Sequence, residues 1–244
     1  MLLHNRGLVK SSKFKNYKYV GDPINAVKIY NEKEVDEIAI LDIAATREKR
    51  QPDIDRIAEI VSEAFVPLSY GGGVSNIEQA EKLFYNGVEK LILNNAAVHQ
   101  TSLITQIAEG YGSQSVTASV DYKSNWLGRA TIWTLNGSED TKIDPVDGAK
   151  QMQDAGAGEI LLNSIDRDGT YKGYDLPMIE KVARAVSIPV VACGGAADIT
   201  DFRKAIDAGA SAAAAGSMFV FQRPHNAVLI SYPSQEALKE KVFR

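Results

Sequence analysis

The chain has a single cysteine, Cys193, so no internal disulfide framework can hold it together. His4, His99 and His225 are scattered and share no zinc-ligand spacing with that cysteine, so no metal centre is expected. No apolar stretch reaches the roughly 18 residues that a membrane span needs. The opening, MLLHNRGLVK, has no basic segment followed by a long apolar core, so it does not read as a secretory signal. Net charge is −4 and no run of like charge is long enough to track a nucleic acid. These absences favour a cytoplasmic protein with no nucleic-acid or membrane partner and no cofactor. The remaining composition, 45% hydrophobic and 24% charged over 244 residues, suits one barrel-sized domain spanning 1–244.

A repeat is what the chain does have. Shifted by 122 residues, Glu37 falls on Glu159, Pro67 on Pro189, Gly72–Gly73 on Gly194–Gly195 and Gly87 on Gly209. The surroundings agree too: VDEIAILD (35–42) matches AGEILLNS (157–164), and FVPLSYGGG (65–73) matches SIPVVACGG (187–195). A fixed offset shared by strands and glycine turns signals two equivalent halves. Short apolar runs alternate with helical patterns and no Pro/Gly/Ser-rich linker parts the halves, which reads as a parallel α/β fold of β/α units. Seven strands are clear: 37–43, 66–70, 90–94, 115–121, 159–164, 188–193 and 210–215. The segment 129–135 reads as a side hairpin. A closed (β/α)8 TIM barrel needs an eighth strand. It should come first, yet the chain opens almost directly on LLHN and a hairpin-like GLVKSSKF, so the first strand is short or begins before Met1. A missing strand would leave two unpaired edges.

In such barrels the chemistry sits at the C-terminal ends of the strands. Gly73, Asn94, Asn95, Gly195, Gly216 and Ser217 fall there in repeat register. Their backbone N–H groups suit two phosphates, although a single glycine turn has a steric explanation as well. Asp121 ends SVTASVD, where a carboxylate is placed either for proton transfer or to pair with a nearby cation. Asp166 and Asp168, around Arg167, either sit in a solvated loop or orient a ligand. At the opposite strand ends, Glu37, Lys90 and Glu159 occupy the first strand positions, as surface charges or as an inward ring that only pairing would stabilise.

The strings SYGGGV, NNAAV, SLITQIAEGYGSQSV, AGAGEILLNSIDRDGTYKGYD and ACGGA together resemble the cyclase subunit of imidazole glycerol phosphate synthase, over about residues 7–221. The resemblance implies a barrel with internal two-fold symmetry that binds a ligand with a phosphate at each end. Phosphate contacts are then expected from Gly73, Asn94, Asn95, Asp168, Gly169, Gly195, Gly216 and Ser217. It also implies a glutaminase subunit docked at the barrel bottom, with Glu37, Lys90 and Glu159 gating an ammonia path. That family uses two aspartates as acid and base. Asp121 matches one, and Leu2 falls where the other is expected. The last segment, HNAVLISYPSQEALKEK, lacks the family's usual final helix pattern. These departures resemble the paralogues associated with surface-polysaccharide genes, which work with a glutaminase and an amidotransferase acting on a sugar. A histidine-pathway cyclase and a non-catalytic phosphate-binding scaffold are the alternative readings.

Overall fold

The computed structural model describes residues 1–243. The elements in chain order are β1 (Leu2–His4), β2 (Gly7–Ser12), β3 (Lys15–Gly21), α1 (Pro23–Glu32), β4 (Ile38–Asp42), α2 (Ile54–Val61), β5 (Leu68–Gly71), α3 (Ile77–Tyr85) and β6 (Lys90–Leu93). Next come α4 (Asn95–His99), α5 (Thr101–Tyr111), β7 (Val116–Ser124), β8 (Ala130–Thr134), β9 (Glu139–Asp140), α6 (Pro145–Asp154) and β10 (Glu159–Ser164). The chain finishes with α7 (Leu176–Ala185), β11 (Val190–Cys193), α8 (Ile199–Asp207), β12 (Ala212–Ala214), α9 (Ser217–Val220), β13 (Phe221–Gln222), β14 (Ala227–Val228) and α10 (Gln235–Lys241).

The parallel strands run in the order β12-β11-β10-β7-β6-β5-β4-β1, and β2 and β3 continue from β1 as an antiparallel hairpin. This is the α/β, (β/α)8-type arrangement, with a first strand of three residues. Burial on both faces explains the apolar strands: all four residues of β5 are buried, as are five of the six in β10. Helices start where a side chain caps them. Asp22, Asp53, Asn76, Asp144, Asp198 and Ser234 each accept from backbone N–H groups of the first turn.

Two edges of the sheet do not pair with each other. Among the described residues β12 pairs only with β11, and β1 covers only Leu41 and Asp42 of β4. Side chains bridge this seam. At the top, Lys10 of β2 crosses to Asp168 after β10, with its Nζ 2.9 Å from Oδ1. At the bottom, Tyr232 donates to Asp36 at 3.0 Å and Gln235 to Glu34 O at 2.9 Å. The C-terminal segment, which lacks the final helix pattern expected of the family, contains a short helix, α10. Ser234 caps it, and the buried Leu238 and Val242 hold it against the body. Seven residues are too few for helical periodicity to be visible in the sequence.

The repeat holds at atomic detail. Asn76 and Asp198 cap α3 and α8. Gln79 Oε1 accepts from Ser75 N at 2.8 Å, and its mate Asp201 Oδ2 accepts from Ala197 N at 2.9 Å. Each glycine loop is thus braced by the third residue of the helix that follows it. The loops need glycine: Gly195 has φ +111°, and a Cβ there would lie 2.3 Å from Gly173 O. Gly195→Ala is expected to lower the unfolding free energy by about 2–4 kcal/mol. Gly110→Ala, in α5 with nothing near its Cβ position, should stabilise by up to about 1 kcal/mol. Urea unfolding of both variants checks the contrast.

Candidate functional site

A cavity of about 810 Å³ occupies the ring of strands. Gly73 and Gly195 both line it, just after the C-terminal ends of β5 and β11, so the two glycine loops share one rim. Asn95 opens α4 and its repeat mate Ser217 opens α9, also on this rim. Gly73 N donates to Thr46 Oγ1 at 3.2 Å. Asn94 spends its amide N–H groups on Ser119 O and Trp133 O, at 3.1 and 3.2 Å, and so ties β6 to β7 and β8. Backbone N–H groups rather than the Asn94 amide are left to meet an anion.

Asp168 is buried and committed. It pairs with Lys10, accepts from Ser11 Oγ at 3.1 Å, and its carbonyl takes Lys13 N at 2.9 Å. Gly169 follows with φ +70°, its Cβ position 2.7 Å from Ser11 O, so the SIDRDG loop lies directly on β2. Both side chains of the pair are about nine-tenths buried, and removing one partner from such a pair costs about 3–5 kcal/mol. Lys10 also passes over Gly216, where a Cβ would meet its Cε at 2.9 Å. Lys10, which nothing in the sequence singled out, is therefore the cation held against the SIDRDG loop, while Arg47 and Arg50 line the same cavity. Asp166 accepts from Ser124 N at 2.9 Å and fastens the β7–β8 hairpin.

Asp121 lies deeper in the same cavity. Its Oδ1 accepts from Ser119 Oγ at 3.0 Å and from Asn163 Nδ2 at 3.1 Å. Loss of hydration raises its pKa to about 6, against the two hydrogen bonds, with the Asp168 charge adding to the rise. Asp121 therefore changes protonation state closer to neutrality than an ordinary aspartate does. Cys193, on the far side of Asn163 and lining the same cavity, is pushed up to about 12 by burial and stays a thiol. The Oδ1 of Asn163 is buried without a partner.

Strand register shows how one-sided this polarity is. Asp121 on β7 is paired with Asn163 on β10. In the other half, Leu2 on β1 is paired with Leu41 on β4. All four residues line the cavity. One wall carries a carboxylate and an amide, and the corresponding wall carries two leucines.

The floor is charged. Lys90 Nζ lies 2.7 Å from Glu37 Oε2 and 3.5 Å from Glu159 Oε2. Ser69 donates to Glu37, and Thr117 Oγ1 donates to Glu159 at 2.9 Å. Burial by itself would lower the Lys90 pKa, but the two carboxylates outweigh it and leave it raised. Glu37 and Glu159 line the same cavity as Asp121, at its other end.

Residues 2–224 match the model of a histidine biosynthesis protein family. The chain is 50% identical to a Pseudomonas aeruginosa protein provisionally named imidazole glycerol phosphate synthase subunit hisF2, over 98% of this chain and 95% of that one. The chain belongs to the imidazole glycerol phosphate synthase cyclase family. A Leptospira interrogans protein provisionally named imidazole glycerol phosphate synthase subunit HisF is 44% identical over 100% of this chain and 96% of that one. The subunit HisF of Alkaliphilus metalliredigens is 40% identical over 87% and 84%. In this member of the family the cavity is lined by Asp121 and Asn163 on one pair of strands and by Leu2 and Leu41 on another.

The raised pKa of Asp121 makes stability depend on pH. The folded state holds this proton more tightly than the unfolded chain between about pH 4 and pH 6. The contribution is favourable at low pH and is lost as pH rises through the folded value. Asp121→Asn is expected to stabilise the protein by about 1–3 kcal/mol near pH 8 and by little near pH 4. Urea titrations at the two pH values measure this, and an equal effect at both would contradict it.

Proposed function

We propose that this cyclase-family barrel conducts ammonia from a glutaminase subunit, through the Glu37–Lys90–Glu159 floor, to the Asp121 site, without closing an imidazole ring. The single observation that carries the reading is the unequal pair of walls around one continuous cavity. Ring closure needs one group to remove a proton and another to supply one, and leucine does neither. Ammonia needs only an enclosed route and one group able to exchange its proton. The floor suits an entry point because the Lys90 ammonium is held by two carboxylates and can swing away as a unit. The rim loops with Gly73 and Gly195 suit a phosphorylated ligand, with Lys10 and Asp168 shaping the second of them. The acceptor we propose is a sugar, amidated by a partner amidotransferase in cytoplasmic steps of surface-polysaccharide assembly. The likeness to paralogues with that association supports this part.

The family match and the relatives named as subunits of the histidine-pathway synthase favour a second reading, a working cyclase. One assay separates the two. The isolated chain is given the family cyclase's two-phosphate substrate and ammonium salt, which bypasses any glutaminase. Imidazole formation should run at least about 10²-fold below that of a two-carboxylate cyclase. Leu2→Asp should raise it. Turnover by the native chain at a full cyclase rate would establish the histidine-pathway reading instead.

A further inference from the structure

The two-fold repeat gives this protein an internal control for its own surface. At the N-terminal ends of the strands, both halves build the same clamped turn. In the first half Asn31 Oδ1 accepts from Phe65 N at 3.1 Å, and its Nδ2 donates to Glu63 O at 2.7 Å. In the second half Gln153, 122 positions on, accepts from Ser187 N at 2.6 Å and from the Ser187 hydroxyl at 3.2 Å. The clamp is conserved between halves, but the residue it presents is not. Phe65 stands 85% exposed where the other half has Ser187. Likewise α3 ends on Tyr85, 91% exposed, where α8 ends on Asp207. Neither turn nor helix end requires an aromatic residue, because the second half forms both without one.

Large exposed aromatics that the fold does not require mark interaction surfaces, and aromatic side chains dominate the energetics of such surfaces. Phe65, just after α2, and Tyr85, at the end of α3, follow neighbouring helices, since α2 packs on α3 and α3 on α5. Tyr111 at the end of α5 extends the patch, its ring 4.4 Å from that of Phe84. The Asn31 clamp holds Phe65 in place beforehand, which reduces the ordering cost of binding. Charge is one-sided as well. The adjoining loops at 33–37, 62–67 and 86–90 carry Glu34, Asp36, Glu37, Glu63 and Glu89 against Lys33 and Lys90. The corresponding loops at 155–159, 184–189 and 208–212 carry one acid, Glu159, and one base, Arg184.

We propose that Phe65 and Tyr85 anchor the glutaminase off the barrel axis, over the first half, against a partner face with an apolar pocket and a basic rim. This rests on the ammonia-conducting reading. It adds where the partner sits and which residues select it. Glu37 and Lys90 belong to the same loops, so a partner seated there reaches the floor cluster from one side.

The test is calorimetric titration of the full chain with the glutaminase subunit encoded in the same genome. The decisive variant, Phe65→Ser with Tyr85→Asp, introduces the residues that the second half already uses at equivalent positions. It should weaken binding at least about thirtyfold. The reciprocal control, Ser187→Ala with Asp207→Ala, should leave affinity within about twofold. Hydrogen exchange on the wild-type complex gives a readout independent of variant folding, and protection should fall on 63–66 and 84–87 rather than on 185–188 and 206–209. Unchanged affinity of the Phe65→Ser, Tyr85→Asp variant, or protection centred on the second half, would overturn the proposal while leaving ammonia transfer intact. Absence of any binding by the wild type would overturn both.

Discussion

Closure of the ring by side chains rather than by a strand ladder is the constraint on which the rest depends. Parallel strands obtain their stability from backbone pairing on both sides, and β12 and most of β4 have it on one side only. The Lys10–Asp168 pair spans the seam at the top, and Tyr232 and Gln235 span it at the bottom. Lys10 therefore has two roles, joining the sheet edges and setting the charge at the ligand rim. Its burial with Asp168 is costly in isolation, and each is tolerated because the other neutralises it. Without that bridge the SIDRDG loop would lose its seat on β2, and the mouth above Asp121 would lose one side.

Within this frame the protein uses a symmetric scaffold asymmetrically. The repeat duplicates what the backbone must do. It makes two braced glycine loops, two capped helices and two clamped turns. It does not duplicate the chemistry. Asp121 and Asn163 face Leu2 and Leu41. Lys90 at the floor has Ala212 as its repeat mate, so a single cation serves two carboxylates. Phe65 and Tyr85 have Ser187 and Asp207 as theirs. Local geometry is fixed by steric needs that both halves share, and function enters where a side chain is free to differ.

Much of this was legible in the sequence because steric needs leave marks. Glycines with positive φ at fixed offset betray the loops, and doubly buried strands read as unbroken apolar runs. The candidate residues Asp121, Glu37, Lys90 and Glu159 were visible because each interrupts or borders an apolar run, although β7 continues past Asp121 to Ser124. Lys10, Ser119 and Asn163 were not, because a polar residue inside an apolar strand carries no mark of which way it points. Only strand register shows that Asn163 meets Asp121, and only the folding of the SIDRDG loop onto β2 shows that Lys10 reaches Asp168. Helix α10 was hidden by its length, and the seam-bridging contacts by the roughly 200 residues between their partners.

The central claim is that nitrogen travels inside the barrel from the charged floor to Asp121. Isotope tracing in the presence of an ammonia-scavenging enzyme tests it most directly. The chain, its glutaminase and the acceptor system receive amide-labelled glutamine, with the scavenger removing any ammonia that reaches solution. The account predicts that labelled nitrogen reaches the acceptor undiminished with the native chain. With Lys90→Met, which removes the cation holding Glu37 and Glu159 together, the label should be lost to the scavenger. Equal loss of label with the native chain and the variant would contradict the account, because ammonia would then be passing through solution.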